Sequence, residues 1–121
     1  MNKRIIITLL SVLLAVASVS AKSKVEWQGN YYDGIFSAYY DENCTVTESF
    51  LNNKKGDYNG QAQFLVSLAL SLIQEVNMGT VYVEGEYQMW YTFDYSTEVT
   101  TVVLRNVLTG DTDVAKFSYE E

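Results

Sequence analysis

The chain contains no histidine and no proline, and Cys44 is its single cysteine. Without histidine there is no Ser-His or Cys-His pair, no HExxH zinc site and no imidazole base at neutral pH. One cysteine cannot close an internal disulfide, so Cys44 is either a small buried apolar residue or a link to another chain. The lack of proline, of internal repeats and of low-complexity tracts leaves no stiff linker and no support for a second domain. Arginine is nearly missing as well. Beyond residue 21 only Arg105 remains, in a valine-rich stretch, where a carboxylate anchor is the functional reading and a snorkelling edge residue the ordinary one.

At the start, Asn2-Lys3-Arg4, the apolar run Ile5 to Val16 and Ser18-Val19-Ser20-Ala21 form the three-part pattern of a secretory leader. Cleavage is expected after Ala21, and Lys22 follows where a lipid-anchored bacterial lipoprotein would have cysteine. Residues 22–121, 121 − 21 = 100 of them, are expected to form one domain; a chain of that size buries roughly 65% of its unfolded surface. Losing Lys3 and Arg4 leaves six basic residues against fifteen acidic ones, a net charge of −9. That charge repels phosphate backbones and anionic membranes, so neither nucleic acid nor membrane insertion after cleavage is expected. The expected location is periplasmic or secreted. Asn43-Cys44-Thr45 matches the N-glycosylation pattern, which matters only in a eukaryotic source.

The longest apolar stretch after the leader is Gln61 to Val76. Leu65, Leu68, Ala69, Leu72, Ile73 and Val76 recur at steps of three and four, with Gln63, Ser67, Ser71 and Gln74 on a narrow opposite stripe, which predicts a helix over about residues 60–77. Asp57 or Asn59 is placed to cap its start, and Gly79 lies just past its end. So narrow a polar stripe implies cover on more than one side, by a wrapped sheet or a partner subunit. The run is too short for a bilayer, which takes about 20 residues.

Around this helix the chain reads as strands. Val25 and Trp27 alternate with polar neighbours up to a turn at Gly29-Asn30, and Ile35 to Tyr40 and Thr45 to Leu51 form a hairpin across Asp41-Glu42-Asn43. Asn52 to Gly60 reads as a loop. From Thr80 to Tyr95 the alternation is sustained, with Val81, Val83, Tyr87, Met89, Tyr91, Phe93 and Tyr95 on one parity, and one long strand bending or bulging at Gly85 is expected. Turns at Asp94 to Thr97 and Thr109 to Asp111 complete a meander with strands over Glu98 to Leu108 and Thr112 to Tyr119.

The expected fold is therefore α+β: a bent antiparallel sheet with the helix on its concave face, short N-terminal strands, then the helix, then a C-terminal meander. In architecture this resembles cystatin-like and NTF2-like folds. Trp27-Gln28-Gly29-Asn30-Tyr31 resembles the tryptophan-glycine opening of small lipocalin-like barrels, but the central helix argues against a barrel.

No catalytic residue, metal ligand or cofactor site stands out. Aligned as a calcium loop, Asp57-Tyr58-Asn59-Gly60 puts Lys55 at the first ligand and Val66 where the bidentate glutamate belongs, so the motif fails. Asp111 and Asp113 flank a turn and read as a solvated hairpin tip. On the long-strand reading, Trp90, Tyr82, Gln88 and Glu84 share the parity facing away from the helix, a rigid aromatic surface ringed by hydrogen-bonding groups. The expected function is an exported, non-enzymatic binding or interaction module recognising a glycan or an envelope or host protein through that face. The alternative is a carboxylate-dependent glycosidase using Glu84, Glu86 or Asp94. Surplus apolar surface on the same face points to a homodimer, which an intermolecular Cys44 disulfide would reinforce if that residue is exposed.

Overall fold

The computed structural model describes residues 22–29 and 34–120, the side chains of residues 119 and 120 excepted. The leader, the cut after Ala21 and Asn30 of the first expected turn lie outside these residues. Eight strands and one helix follow in chain order: β1 (Lys22–Gln28), β2 (Phe36–Tyr40), β3 (Val46–Leu51), β4 (Lys54–Gly56), α1 (Asn59–Glu75), β5 (Tyr82–Glu84), β6 (Tyr87–Asp94), β7 (Val99–Asn106) and β8 (Thr112–Glu120). All eight strands join one antiparallel sheet in the order β4-β3-β2-β1-β8-β7-β6-β5. Two four-stranded meanders are thus joined by pairing the first strand with the last, and α1 connects the two outer edges. This is the expected α+β arrangement of strands, helix and strands.

The helix buries Ala62, Leu65, Val66, Ala69, Leu72 and Ile73, the three-and-four spacing of a single face, against Val25, Phe36, Ala38, Tyr91, Val102 and Phe117 of the sheet. Its chief contacts are with β3, β6 and β2. Strands β3 and β6 stand five strand spacings apart, roughly 24 Å in a flat sheet, and the 17 residues of α1 extend about 25 Å. The helix can therefore bridge both meanders. Cover on a second side is not supplied by the described residues: Gln61, Phe64, Ser67, Ser71 and Gln74 are exposed, Phe64 to 70%.

Three side chains from distant strands and from mid-helix pin α1, where local caps were expected. Neither Asp57 nor Asn59 caps the start. Instead the backbone N–H of Tyr58 donates to the buried Ser49 Oγ at 2.8 Å, and that hydroxyl donates to Asn59 Oδ1 at 2.7 Å. Gln63, read from sequence as part of the solvent stripe, uses both ends of its amide. Its Nε2 donates to the Cys44 carbonyl at 2.8 Å and its Oε1 accepts the Val46 N–H at 2.9 Å, fastening the β2–β3 turn to the helix. At the other end the Tyr91 hydroxyl donates to the Val76 carbonyl at 3.0 Å, satisfying an acceptor that the helix leaves open.

The β2–β3 hairpin, the strand at Val25 and Trp27, and β7 and β8 match the sequence pattern. Two stretches differ from it. Asn52 and Asn53, with φ of 52° and 67°, form a tight turn with Leu51 opposite Lys54, so the expected loop carries an edge strand. The expected long strand from Thr80 is a hairpin: Glu84 pairs with Tyr87 across Gly85-Glu86, and Gly85 takes the positive φ, 59°, of a primed turn. Cys44 is buried at a φ of 60° within the β2–β3 turn, which decides for the buried reading over an exposed link to a second chain. Burial first, then the charge of Asp41, push its thiol up and keep it unreactive.

Candidate functional site

Residues opposite one another in an antiparallel pair point to the same side of the sheet, so the register assigns every strand side chain to a face. Met89, Tyr91 and Phe93 are buried on the helix side of β6. Gln88, Trp90, Thr92 and Asp94 therefore project from the outer face, which none of the described elements covers.

The hairpin at Gly85 divides the four residues expected to form one surface. Trp90 and Gln88 stand on the outer face, as expected. Tyr82, opposite Met89, and Glu84, opposite Tyr87, stand on the helix side, and the ring of Tyr82 packs against the core. Their place beside Gln88 is taken by Val83, 61% exposed. The same division breaks up the carboxylates. Glu84 sits level with Tyr87, and Asp94 is seven residues further along β6, roughly 24 Å away, whereas paired glycosidase carboxylates stand about 5–9.5 Å apart. Asp94 is also engaged elsewhere: its Oδ1 accepts hydrogen bonds from the Ser96 N–H at 2.9 Å and the Ser96 hydroxyl at 2.7 Å. These bonds to Ser96 hold its carboxyl below the usual range, the opposite of what a general acid needs. Glu86 lies in the exposed hairpin loop. Among the described residues no group of three or more acidic or cysteine side chains is arranged to hold a metal ion, and no helix is long and apolar enough to cross a membrane.

Around Trp90 the register builds a band that the sequence did not reveal. Trp90 stands opposite Val103, Val103 opposite Val114, and Val114 opposite Gln28. Beyond them a small hollow is lined by Val114, Gln28, Ile35, Glu26, Lys116 and Trp27. A hydrogen-bonding row flanks the band on each side, Gln88, Arg105 and Thr112 on one and Thr92, Thr101, Lys116 and Glu26 on the other. The indole is half-buried between these rows, which fixes the ring while leaving part of it accessible.

At the far end of the face Tyr39 meets Phe50 edge-on at 5.9 Å, and the ammonium groups of Lys22 and Lys24 lie 5.4 and 6.0 Å from the Tyr39 ring centre. Four strand spacings across and four residues along separate Tyr39 from Trp90, roughly 24 Å. Sequence alternation could not find this surface, because β7 is apolar on both parities: Val102 and Leu104 face the helix while Val99 and Val103 face outward. Only the pairing partner decides which valine stands beside the tryptophan. On the helix side, a second hollow is lined by Trp27, Gly60, Gln61 and Phe64, with no charged group among them.

Compared with known proteins, the chain matches no protein-family model and no curated protein.

Proposed function

We propose that the protein is an exported, non-enzymatic binding module that holds a glycan on the outer face of its sheet, with Trp90 as the stacking platform. The observation that carries this reading is the band Trp90–Val103–Val114 between two rows of amide, hydroxyl and charged side chains, on a face that no described element covers. A sugar ring has an apolar face and a rim of hydroxyl groups, and an indole bordered by Gln88 and Thr92 is complementary to both. Export rests on the three-part pattern of residues 1–21. The hydrolase reading has less support, since Asp94 stands roughly 24 Å from Glu84 and its carboxyl is held low by Ser96.

The test is a set of soluble glycans titrated into the purified protein, followed by tryptophan fluorescence and calorimetry. At least one glycan should bind, and Trp90→Ala should abolish that binding while the far-UV circular dichroism stays unchanged. Binding that survives Trp90→Ala would place the ligand elsewhere. Binding only to envelope or host proteins would replace the glycan with a protein partner.

A further inference from the structure

We infer that the outer face takes a carboxylate-bearing polysaccharide, with Arg105 beside Trp90 receiving the acid group. This rests on the reading of the face as a glycan surface and names the class of glycan.

The inference starts from how charge is distributed. Among the described side chains, the outer face, with the hairpin loop beside Arg105, holds Lys22, Lys24, Lys55, Arg105 and Lys116 against Glu26, Glu48, Glu86 and Asp94, five against four, a balance of +1. Everywhere else Lys54 stands against Asp41, Glu42, Asp57, Glu75, Glu84, Glu98, Asp111 and Asp113, one against eight, a balance of −7. A strongly acidic molecule has gathered all but one of its described basic side chains on the face that carries the aromatic platforms. The Debye length at physiological salt is about 8 Å, so a ligand approaching this face responds to the local groups more than to carboxylates behind the sheet. Charge complementarity thus favours an acidic ligand here and opposes one on every other side.

Position then selects Arg105. It stands opposite Gln88, and Trp90 is the next outward residue along β6, the diagonal neighbour that a long side chain can reach across a strand pair. Arg105 is exposed, whereas the indole beside it is half-buried. Glu86, in the hairpin loop two residues before Gln88, is the carboxylate on its other side. A guanidinium binds a carboxylate through two parallel N–H donors, and its partner in a stacked sugar is the acid group on the ring. Lys116, then Lys24 and Lys22 beside Tyr39, continue the basic groups across β8 and β1 toward the second aromatic platform. The roughly 24 Å between Trp90 and Tyr39 calls for a chain of several sugars in place of a single one.

The decisive comparison keeps the sugar backbone and removes the charge. Polygalacturonate and its fully methyl-esterified form, of matched length, are titrated into the purified protein, with alginate as a second polyuronate and polyphosphate as a sugar-free polyanion. The free acids should bind more tightly than the ester. Arg105→Gln should weaken acid binding about tenfold or more, the loss expected for a charged hydrogen-bonding partner, and should leave ester binding unchanged. Lys116→Gln, at a second exposed position, should act in the same direction. Equal affinity for acid and ester overturns the inference while the glycan reading stands. Equal binding of polyphosphate, insensitive to Trp90→Ala, reduces the site to a non-specific polyanion surface and also overturns it. Failure of both polyuronates overturns it too, and neutral sugars then decide the glycan reading separately.

Discussion

Gln63→Ala should destabilise the fold more than an ordinary exposed helix position would, because its amide holds the backbone of another hairpin. Removing it leaves the Cys44 carbonyl and the Val46 N–H without their partners at 2.8 and 2.9 Å in a part-buried setting. Two hydrogen bonds at about 0.5–1.5 kcal/mol each give about 1–3 kcal/mol, less a few tenths recovered because alanine is the better helix former. For a domain of this size, about 2 kcal/mol lowers Tm by roughly 8–16 °C.

Gln63→Glu refines the test. The carboxylate can still accept from the Val46 N–H, but it cannot donate to the Cys44 carbonyl, and protonation restores that donor. A carboxyl that is favoured protonated in the fold binds more protons folded than unfolded, so its stability contribution rises as pH falls. The gap between Gln63→Glu and the parent should therefore narrow as pH falls toward about 4.3, the ordinary glutamate value, and stay at its smallest below it. Urea denaturation measures the energies, and amide exchange at Val46 reports the bond directly. A loss under about 0.5 kcal/mol in Gln63→Ala, with Val46 exchange unchanged, would refute the clamp.

Two further outcomes follow from burial. Leu72→Ala should cost about 2–5 kcal/mol, whereas Leu68→Ala should cost less because Leu68 is only partly buried; equal losses in urea denaturation would contradict the assigned helix face. Burial raises the Tyr91 hydroxyl, and burial followed by Cys44 raises that of Tyr40. Folded values above the unfolded value mean stability fully present below about pH 10 and lost as pH climbs beyond it. Tyr91→Phe should cost about 1 kcal/mol at pH 7 by orphaning the Val76 carbonyl, and should flatten part of the alkaline loss seen in pH-dependent urea curves.

The division between local and long-range information runs through particular residues. Ala62 to Ile73 specify their own helix because a 3.6-residue period in apolar side chains is satisfied by no other regular structure. The β2–β3 hairpin, β7 and β8 were likewise legible from alternation bounded by polar turns. Asn52-Asn53 held a readable signal, since asparagine tolerates positive φ, but the polar run around it reads equally well as a loop. Gly85 was recognised as a break and its geometry was not. Val81 and Val83 continue the parity of Met89 and Tyr91, yet they are 49% and 61% exposed, because an edge strand buries too little for apolar residues to report a face. A two-residue turn reverses parity at no cost in composition, and it sent Tyr82 and Glu84 to the helix side.

The candidate surface was legible only in its centre, Trp90 with Gln88, whose strand alternates cleanly between buried and open positions. Val103, Val114, Arg105 and Lys116 join it through antiparallel register, which is fixed by partners up to some ninety residues away in the chain. By itself the sequence determined the helix, most strands, the α+β class and the chemistry denied by the missing histidine, all properties of neighbouring residues. The tertiary structure decided which side chains share a face, how basic and acidic groups separate, and what fastens the helix. Those follow from pairing distant strands, and no local pattern encodes a partner.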